Sequence, residues 1–114
     1  MQRIQLKSKL HRAVVTDGNV NYVGSITIHQ ELIRAADLWE GEKVLVVDHT
    51  NGARLETYVL PGKRNGGQII MNGGSARLIT VGDRITIMAF GISEKVIKPK
   101  KILLDEQNGM VNKK

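Results

Sequence analysis

The sequence contains no cysteine, which excludes disulfide bonds, thiol nucleophiles and thiolate metal ligands together. Its three histidines, His11, His29 and His49, are scattered without metal-ligand spacing, so no metal site is expected. No run of about 18 apolar residues occurs, and the first residues lack the apolar stretch of a signal peptide. No phosphate-binding loop or dinucleotide fingerprint occurs either. These absences predict a cytoplasmic protein with no metal and no membrane contact.

Aromatic residues are also scarce, at 4%, although the net charge of +6 invites a nucleic-acid interpretation. With so few aromatic rings, the protein has few side chains on which nucleic-acid bases could stack. Much of the excess charge lies at one end of the chain, since residues 94–114 hold 6 basic and 3 acidic side chains. Lysine-rich ends are usually only solvated, so no nucleic-acid partner is predicted.

The residues that are present suit one small β-rich domain. A chain of 114 residues is long enough for a single compact domain with a modest core. Apolar periodicity predicts one short helix over residues 29–38, and Asn51-Gly52 predicts a hairpin turn between strands 43–48 and 53–60. With six or so strands in all, the residues predict a mainly β fold, a small barrel with a helical insert.

Other segments have weaker signals. Asp17-Gly18-Asn19 contains residue types that tolerate positive φ, and predicts that residues 10–28 form a hairpin. The single domain is predicted to span residues 1–114. Its basic C-terminal segment, residues 93–114, is predicted to be flexible at its end, with a disordered tail over residues 109–114. Further strands are predicted at residues 1–7, 13–16, 68–71, 84–90 and 102–104, the last at a sheet edge that Pro99 and nearby lysines protect.

Gly24-Ser25 interrupts a strand-like pattern that runs from Val20 to Ile28. Glycine inside a strand weakens it and often marks a bulge. The hydroxyl of a residue directly after such a glycine lies close to the preceding carbonyl, as an internal nucleophile requires. Taken alone, the pair has a simpler interpretation, a bulge with a surface serine.

A second group of polar residues lies on one predicted strand. Arg54, Glu56 and Tyr58 alternate and so share a face, while Thr57 faces the other side. A guanidinium can bind a carboxylate through two hydrogen bonds, and a phenol on the same face can donate a proton. Lys9 offers a second cation. The same residues also have an interpretation without a site: the polar residues of the strand would form the solvent-exposed face of a barrel, and Lys9 would be a solvated surface lysine.

Asn72-Gly73-Gly74-Ser75 is the one glycine-rich stretch with a chemical interpretation. It is either a plain turn or a nest of backbone N–H groups that could hold a carboxylate. Together with the two cations, the phenol and the hydroxyl, this loop would suit a small acidic substrate. The set does not by itself name a reaction.

Six short motifs occur in a specific order and spacing: Lys9-Leu10-His11-Arg12, Tyr22-Val23-Gly24-Ser25, Thr50-Asn51-Gly52-Ala53-Arg54, Thr57-Tyr58, Asn72-Gly73 and Val81-Gly82-Asp83. In this order they closely resemble the aspartate 1-decarboxylase family. The resemblance covers residues 1–92 and continues more weakly to residue 108. It implies a six-stranded double-psi β-barrel with a short helical insert, usually assembled as a homotetramer with active sites between subunits.

The resemblance implies an inactive proprotein that cuts itself between Gly24 and Ser25. Residues 1–24 would become the β chain and residues 25–114 the α chain. Ser25 Oγ would attack the Gly24 carbonyl, and Thr57 would stabilise the oxyanion. Elimination and hydrolysis would then leave a pyruvoyl group at residue 25. This covalently derived cofactor would need neither a metal nor PLP.

The implied reaction is the decarboxylation of L-aspartate to β-alanine and CO2, which feeds pantothenate biosynthesis. The pyruvoyl group derived from Ser25 would form a Schiff base with the substrate amine and accept the electrons left by the α-carboxylate. Tyr58 is the implied proton donor. The implied substrate-binding residues are Lys9, Arg54, Thr57, Asn72, Gly73, Gly74 and Ser75.

The chain departs from the family pattern at two places, and two other functions stay open. Members often have Trp where this chain has Val47, and two alanines where it has Gly74-Ser75. One alternative is a non-catalytic β-barrel that binds partners or nucleic acid through its basic C-terminal end, residues 94–114. A hydrolase with Ser25 as a conventional nucleophile is disfavoured, because no histidine lies at an evident triad position.

Overall fold

The computed structural model describes residues 1–63 and 66–111. Within these residues, eight strands form one sheet in the order β2-β6-β3-β5-β4-β7-β1-β8. The predicted fold class is confirmed, because the mainly β structure with one short α-helix is compatible with a double-psi β-barrel. The elements are β1 Arg3–Val14, β2 Asp17–Asn19, β3 Ser25–Ile28, α1 Gln30–Ala35, β4 Lys43–Asp48, β5 Arg54–Pro61, β6 Ile69–Asn72, a 3₁₀ helix Gly73–Arg77, β7 Arg84–Ser93 and β8 Lys100–Leu103.

The hairpin of β4 and β5 is the local prediction that the structure matches most closely. The two strands are antiparallel, with Val47 opposite Arg54. Gly52 has a φ of +77°, the left-handed conformation that favours glycine. The connection covers residues 49–53, so the loop is longer than the predicted two-residue turn.

The predicted hairpin over residues 10–28 is wrong. Most of the predicted strand 1–7 and the first half of 13–16 belong to one long strand, β1, which is interrupted by bulges between Leu6 and Ser8 and between Leu10 and Ala13. Strands β2 and β3 both pair with β6, in parallel and antiparallel directions respectively. These partners lie more than 40 residues along the chain, beyond the range of a local turn signal.

The strand-like stretch from Val20 to Ile28 is a strand only from Ser25 onward. Val20, Tyr22 and Val23 are exposed, so their alternation does not report a buried face. Ser25 therefore begins a strand instead of interrupting one.

Helix α1 is shorter than the predicted 29–38. Asp37 adopts a φ of +55° and ends the helix, and Leu38 N donates to Ile33 O at 2.9 Å. Leu32 on α1 is completely buried, and Ala36 and Leu38 just beyond it are also buried, so the segment packs onto the sheet as predicted. In the part of the chain that the structure describes, no helix has the length and apolar character needed to cross a membrane.

The C-terminal segment packs against the first strand. β8 pairs in parallel with β1 at the end of the sheet order, as the predicted edge strand does. Beyond it, Asn108 is buried, and its side chain donates to Val14 O at 2.9 Å and Gly67 O at 2.8 Å, and accepts from Val14 N at 2.7 Å. The predicted tail, residues 109–114, begins with a segment that bonds to the fold, since Val111 N donates to Leu103 O at 2.9 Å. Residues 112–114 lie outside the described residues.

Candidate active site

Ser25 is a buried serine at the first position of β3. Its side chain is fully buried, so the predicted surface serine is replaced by an enclosed hydroxyl. Oγ donates to Val23 O at 3.2 Å and accepts from Asn72 Nδ2 at 2.9 Å. The hydroxyl is therefore held by a donor and an acceptor, and neither of these is a histidine. This arrangement does not resemble a conventional serine hydrolase.

Asn72 organises the surroundings of Ser25. It lies opposite Ser25 in the antiparallel β3–β6 pair, so the two side chains share a face. Its Nδ2 also donates to Thr27 Oγ1 at 2.9 Å, and its backbone carbonyl accepts from Ser75 Oγ at 2.8 Å. The structure thus brings together three of the predicted site residues, Ser25, Asn72 and Ser75.

Gly73 packs against Gly24, the residue that precedes the bond predicted to be cut. It begins the 3₁₀ helix with a φ of +70°, and a Cβ added there would lie 2.7 Å from Gly24 Cα and 2.8 Å from Gly24 N. At Gly24 and Gly74, by contrast, an added Cβ would meet no atom within 4 Å. The steric need for glycine therefore lies at Gly73, which contacts Gly24, and not at Gly24 itself.

Tyr58 and Thr57 lie on β5, which pairs in parallel with β3. Ile26 lies beside Val59 in this pair. Continued by one residue to the start of β3, the same register puts Tyr58 beside Ser25, whereas Thr57 points to the opposite face of β5. Among the hydrogen bonds of the described residues, none joins the Thr57 hydroxyl to the Gly24 carbonyl.

Lys9 and Arg54 lie on the outer face of four adjacent strands, β5, β4, β7 and β1. One row across this face runs from Lys9 through Met88 and Leu45 to Glu56. The next row runs from Thr86 through Val47 to Arg54. Lys9 belongs to β1, which is four strands from β3 in the sheet order. A single chain therefore brings the two cations onto one face of the sheet.

Two histidines on this outer face were not predicted to be functional. His11 Nδ1 lies 3.1 Å from Thr86 Oγ1, and His49 Nε2 lies 2.6 Å from the same oxygen. The ring centroids are 5.3 Å apart. His11 could have been found from the sequence, because it follows Lys9 by two positions and lies in the same motif. Thr86 could not, because only the register of β4 and β7 places it in the Arg54 row.

Asp48 and Asp83 form a second polar cluster behind the β4–β5 turn. Asp48 is fully buried; its Oδ1 accepts from Thr50 N at 2.7 Å, while its Oδ2 has no partner at hydrogen-bond distance among the described residues. Burial raises the pKa of Asp48, and the neighbouring Asp83 carboxyl adds to this. Interaction with the Asp48 carboxyl in turn lowers the pKa of Asp83. When the pair holds one proton, Asp48 therefore binds it in preference to Asp83.

Within the described part of the chain, no group of three or more His, Cys, Asp or Glu side chains is arranged so that it could hold a metal ion. A cofactor derived from Ser25 itself would need no separate binding site, and the fully buried Ser25 is held in place by Asn72, whose Nδ2 donates to Oγ at 2.9 Å.

Known proteins similar to this chain agree with the motifs. A family model described as aspartate decarboxylase matches residues 1–111. The chain belongs to the aspartate decarboxylase family. The aspartate 1-decarboxylase of Desulfitobacterium hafniense (strain DSM 10664 / DCB-2) is 51% identical over 97% of this chain and 91% of its own length. That of Thermoanaerobacter pseudethanolicus is 50% identical over 98% of this chain and 99% of its own, and that of Moorella thermoacetica is 52% identical over 95% and 88%.

Membership in the aspartate decarboxylase family confirms the predicted family and enzyme class. The family decarboxylates aspartate to β-alanine, so the predicted reaction is confirmed as well. The alternative of a non-catalytic module that acts through the basic end is not favoured. The roles of individual residues, the cleavage and the assembly are proposals, which follow.

Proposed function

We propose that this chain cuts itself between Gly24 and Ser25, and that the pyruvoyl group formed from Ser25 then decarboxylates L-aspartate to β-alanine. The observation that carries the proposal is the enclosure of Ser25. Its hydroxyl is fully buried and held by Asn72, while the backbone of Gly73 packs against Gly24. A surface serine after a glycine would need neither contact.

The cleavage step requires Ser25 Oγ to lose a proton and form a bond to the Gly24 carbonyl carbon. The peptide C–N bond then breaks, which leaves an ester at Oγ and a free amine at residue 25. Loss of the Ser25 α-proton expels the Gly24 carboxylate, and hydrolysis of the resulting enamine releases ammonia and leaves a ketone. Asn72 holds Oγ in place, and Thr57, on the neighbouring strand β5, is the proposed donor to the oxyanion.

Once formed, the pyruvoyl carbonyl supplies an electron sink for the electron pair released with CO2. Lys9 and Arg54 would bind the two carboxylates of aspartate, since both present cations on the outer face of the sheet. Tyr58, beside Ser25 in the register, would donate the proton that replaces CO2. Asn72 and the segment Gly73-Gly74-Ser75 would complete the binding surface.

We propose that the chain assembles as a homotetramer in which subunits share each site. Apolar side chains on and beside the outer face support an interface there: Ile4, Phe90 and Ile92 are 75%, 42% and 68% exposed. Co-expression of Ser25→Ala and Lys9→Ala subunits tests this idea. Recovery of activity in the mixed oligomer is expected, whereas no recovery argues against shared sites.

The cellular setting completes the proposal. We place the enzyme in the cytoplasm, where it would supply β-alanine for pantothenate biosynthesis without PLP, metal or nucleic acid. Deletion in the native host should create a requirement for β-alanine. Growth of the deletion strain without β-alanine or pantothenate would contradict this placement.

Intact-mass measurement of the purified protein tests the cleavage. Two fragments are expected, residues 1–24 and a fragment that begins at residue 25 with a blocked end. Ser25→Ala should stay whole and form no β-alanine from aspartate, while Ser93→Ala, a matched change outside the site, should cut and react normally. A wild-type chain that stays whole on prolonged warming would refute the proposal, and so would β-alanine formation by Ser25→Ala.

A further inference from the structure

Thr27 is a half-buried threonine on β3, two residues after Ser25, and it lies outside the six motifs of the sequence. Because side chains alternate along a strand, Thr27 and Ser25 share one face. Asn72 lies opposite Ser25 on β6, so Thr27 is its diagonal neighbour across the pair. Of these three side chains, Thr27 is the one without a role in the proposed reaction.

One nitrogen connects the two hydroxyls. Asn72 Nδ2 lies 2.9 Å from Ser25 Oγ and 2.9 Å from Thr27 Oγ1. Ser25 Oγ donates its own proton to Val23 O at 3.2 Å, so it turns lone pairs toward Asn72, and the amide must present its nitrogen and not its oxygen. An amide nitrogen has two hydrogens, and each hydroxyl accepts one of them. The two bonds together fix the position of the nitrogen and the plane of the amide.

The direction of the Thr27 hydroxyl is set by the methyl group of the same side chain. A Cβ added at Gly62 would lie 3.1 Å from Thr27 Cγ2, so the methyl packs closely against Gly62. A β-branched side chain has few χ1 conformations, and this contact favours the one that turns Oγ1 toward Asn72.

Asn72 depends on this second acceptor because its side chain is buried. The residue is only 4% exposed, and a buried N–H that loses its partner is costly to leave unpaired. Without Thr27 Oγ1, the amide would turn to find another acceptor. Its bond to Ser25 Oγ would then be weakened or lost.

We propose that Thr27 is a positioning residue for the self-cleavage. By accepting the second hydrogen of Asn72 Nδ2, it holds the first hydrogen on Ser25 Oγ, and so keeps Oγ in the position from which it attacks the Gly24 carbonyl. Thr27 acts through Asn72. The inference rests on the proposed function, because cleavage between Gly24 and Ser25 is the step that it serves, whereas the hydrogen bond from Asn72 to Thr27 does not depend on that function.

Three substitutions of Thr27 separate the effect of its hydroxyl from the effect of its shape. Thr27→Val keeps the shape and the contact with Gly62 but removes the hydroxyl, Thr27→Ser keeps the hydroxyl but removes the methyl, and Thr27→Ala removes both. A time course of intact mass measures the rate of cleavage, and circular dichroism checks the fold. Thr27→Ser should cut at close to the wild-type rate, and the other two should cut about tenfold more slowly, the effect of losing one hydrogen bond. If Thr27→Val cuts as fast as wild type or faster than Thr27→Ser, packing and not the hydroxyl controls the rate, and the inference is overturned.

A second test uses Asn72→Ala, because Thr27 is proposed to act only through Asn72. In the Asn72→Ala background, Thr27→Val should slow cleavage no further, since two residues that act through one bond are not additive. Thr16→Val is the matched control, because it removes a hydroxyl that bonds the Ile69 backbone at the start of β6 and reports general destabilisation only. A further tenfold loss in the double variant, or equal slowing by Thr16→Val, overturns the inference.

Nitrogen-15 NMR of the Asn72 side-chain amide tests the hydrogen bond without reference to cleavage. One of its two protons should exchange with water about tenfold faster in Thr27→Val than in wild type. The amide of Asn108, which donates to Val14 O and Gly67 O, should be unaffected. Unchanged exchange at Asn72 would refute the inference. If exchange responds as expected but the wild-type chain stays whole, the proposed function fails, and the placement of Asn72 by Thr27 stands.

Discussion

Substitution of Gly73 by alanine tests whether the contact between the 3₁₀ helix and the scissile peptide controls self-cleavage. The added Cβ would lie 2.7 Å from Gly24 Cα, and ordinary contacts begin at 3.4 Å, so one of the two backbones must move by the difference. Neither neighbour is a flexible side chain that could swing away. Alanine at a φ of +70° costs a further 1–2 kcal/mol or so.

The magnitude follows from the need for alignment between Ser25 Oγ and the Gly24 carbonyl. A misplacement of about 1 Å at reacting atoms can cost on the order of 10²-fold in rate. We therefore expect cleavage of Gly73→Ala to slow by roughly that factor, in a protein that still folds. A time course of intact mass at fixed temperature measures the rate, and circular dichroism checks the fold.

Gly74→Ala is the matched control for Gly73→Ala. The position is one residue away in the same 3₁₀ helix, an added Cβ meets nothing within 4 Å, and its φ is not in the left-handed region. It should cut at the wild-type rate. If Gly73→Ala also cuts at that rate, or if the two variants slow equally, the contact with Gly24 does not set the rate and the reasoning fails.

Four further predictions concern stability and the role of Gly24. Asp48 binds its proton more tightly in the folded state, so its contribution to stability is lost as pH rises through its raised pKa. Asp48→Asn should remove that loss and raise the free energy of unfolding at neutral pH, as measured in urea melts. The lowered pKa of Asp83 acts oppositely, and its contribution should be lost only in acid below about pH 4. Asn108→Ala should cost about 3 kcal/mol by the same measurement, because three buried hydrogen bonds are removed. Gly24→Ala should still cut at nearly the wild-type rate by intact mass, and strong inhibition would show that residue 24 needs a glycine.

Local signals predicted the elements whose partners are near in sequence. The Asn51-Gly52 turn predicted the β4–β5 hairpin, and the alternation of Ile85 and Ile87 predicted β7. The hairpin over residues 10–28 was wrong because β2 and β3 take the distant β6 as partner. A turn signal contains no information about such long-range pairing.

The candidate site shows the same limit. Ser25, Asn72 and Tyr58 were predicted to belong to the site, but that prediction depended on the family motifs and not on periodicity. The contact of Gly73 with Gly24 is seen only from the distance between them. The position of Thr86 in the same row as Arg54 is seen only from the register across β7, β4 and β5. Neither the left-handed φ of Gly73 nor that register can be obtained from the sequence alone.

The placement of β1 has a consequence for the refolding of the protein after the proposed cleavage. A cut after Gly24 would leave residues 1–24 as a separate peptide, yet β1 lies inside the sheet between β7 and β8. The peptide could not dissociate without dismantling the fold. Unfolding would then release two molecules from each subunit, and refolding would require them to meet, so recovery from heat should depend more steeply on protein concentration for the cut form than for the uncut form. Maturation would thus convert a chain that folds alone into an assembly that, once lost, does not readily reform.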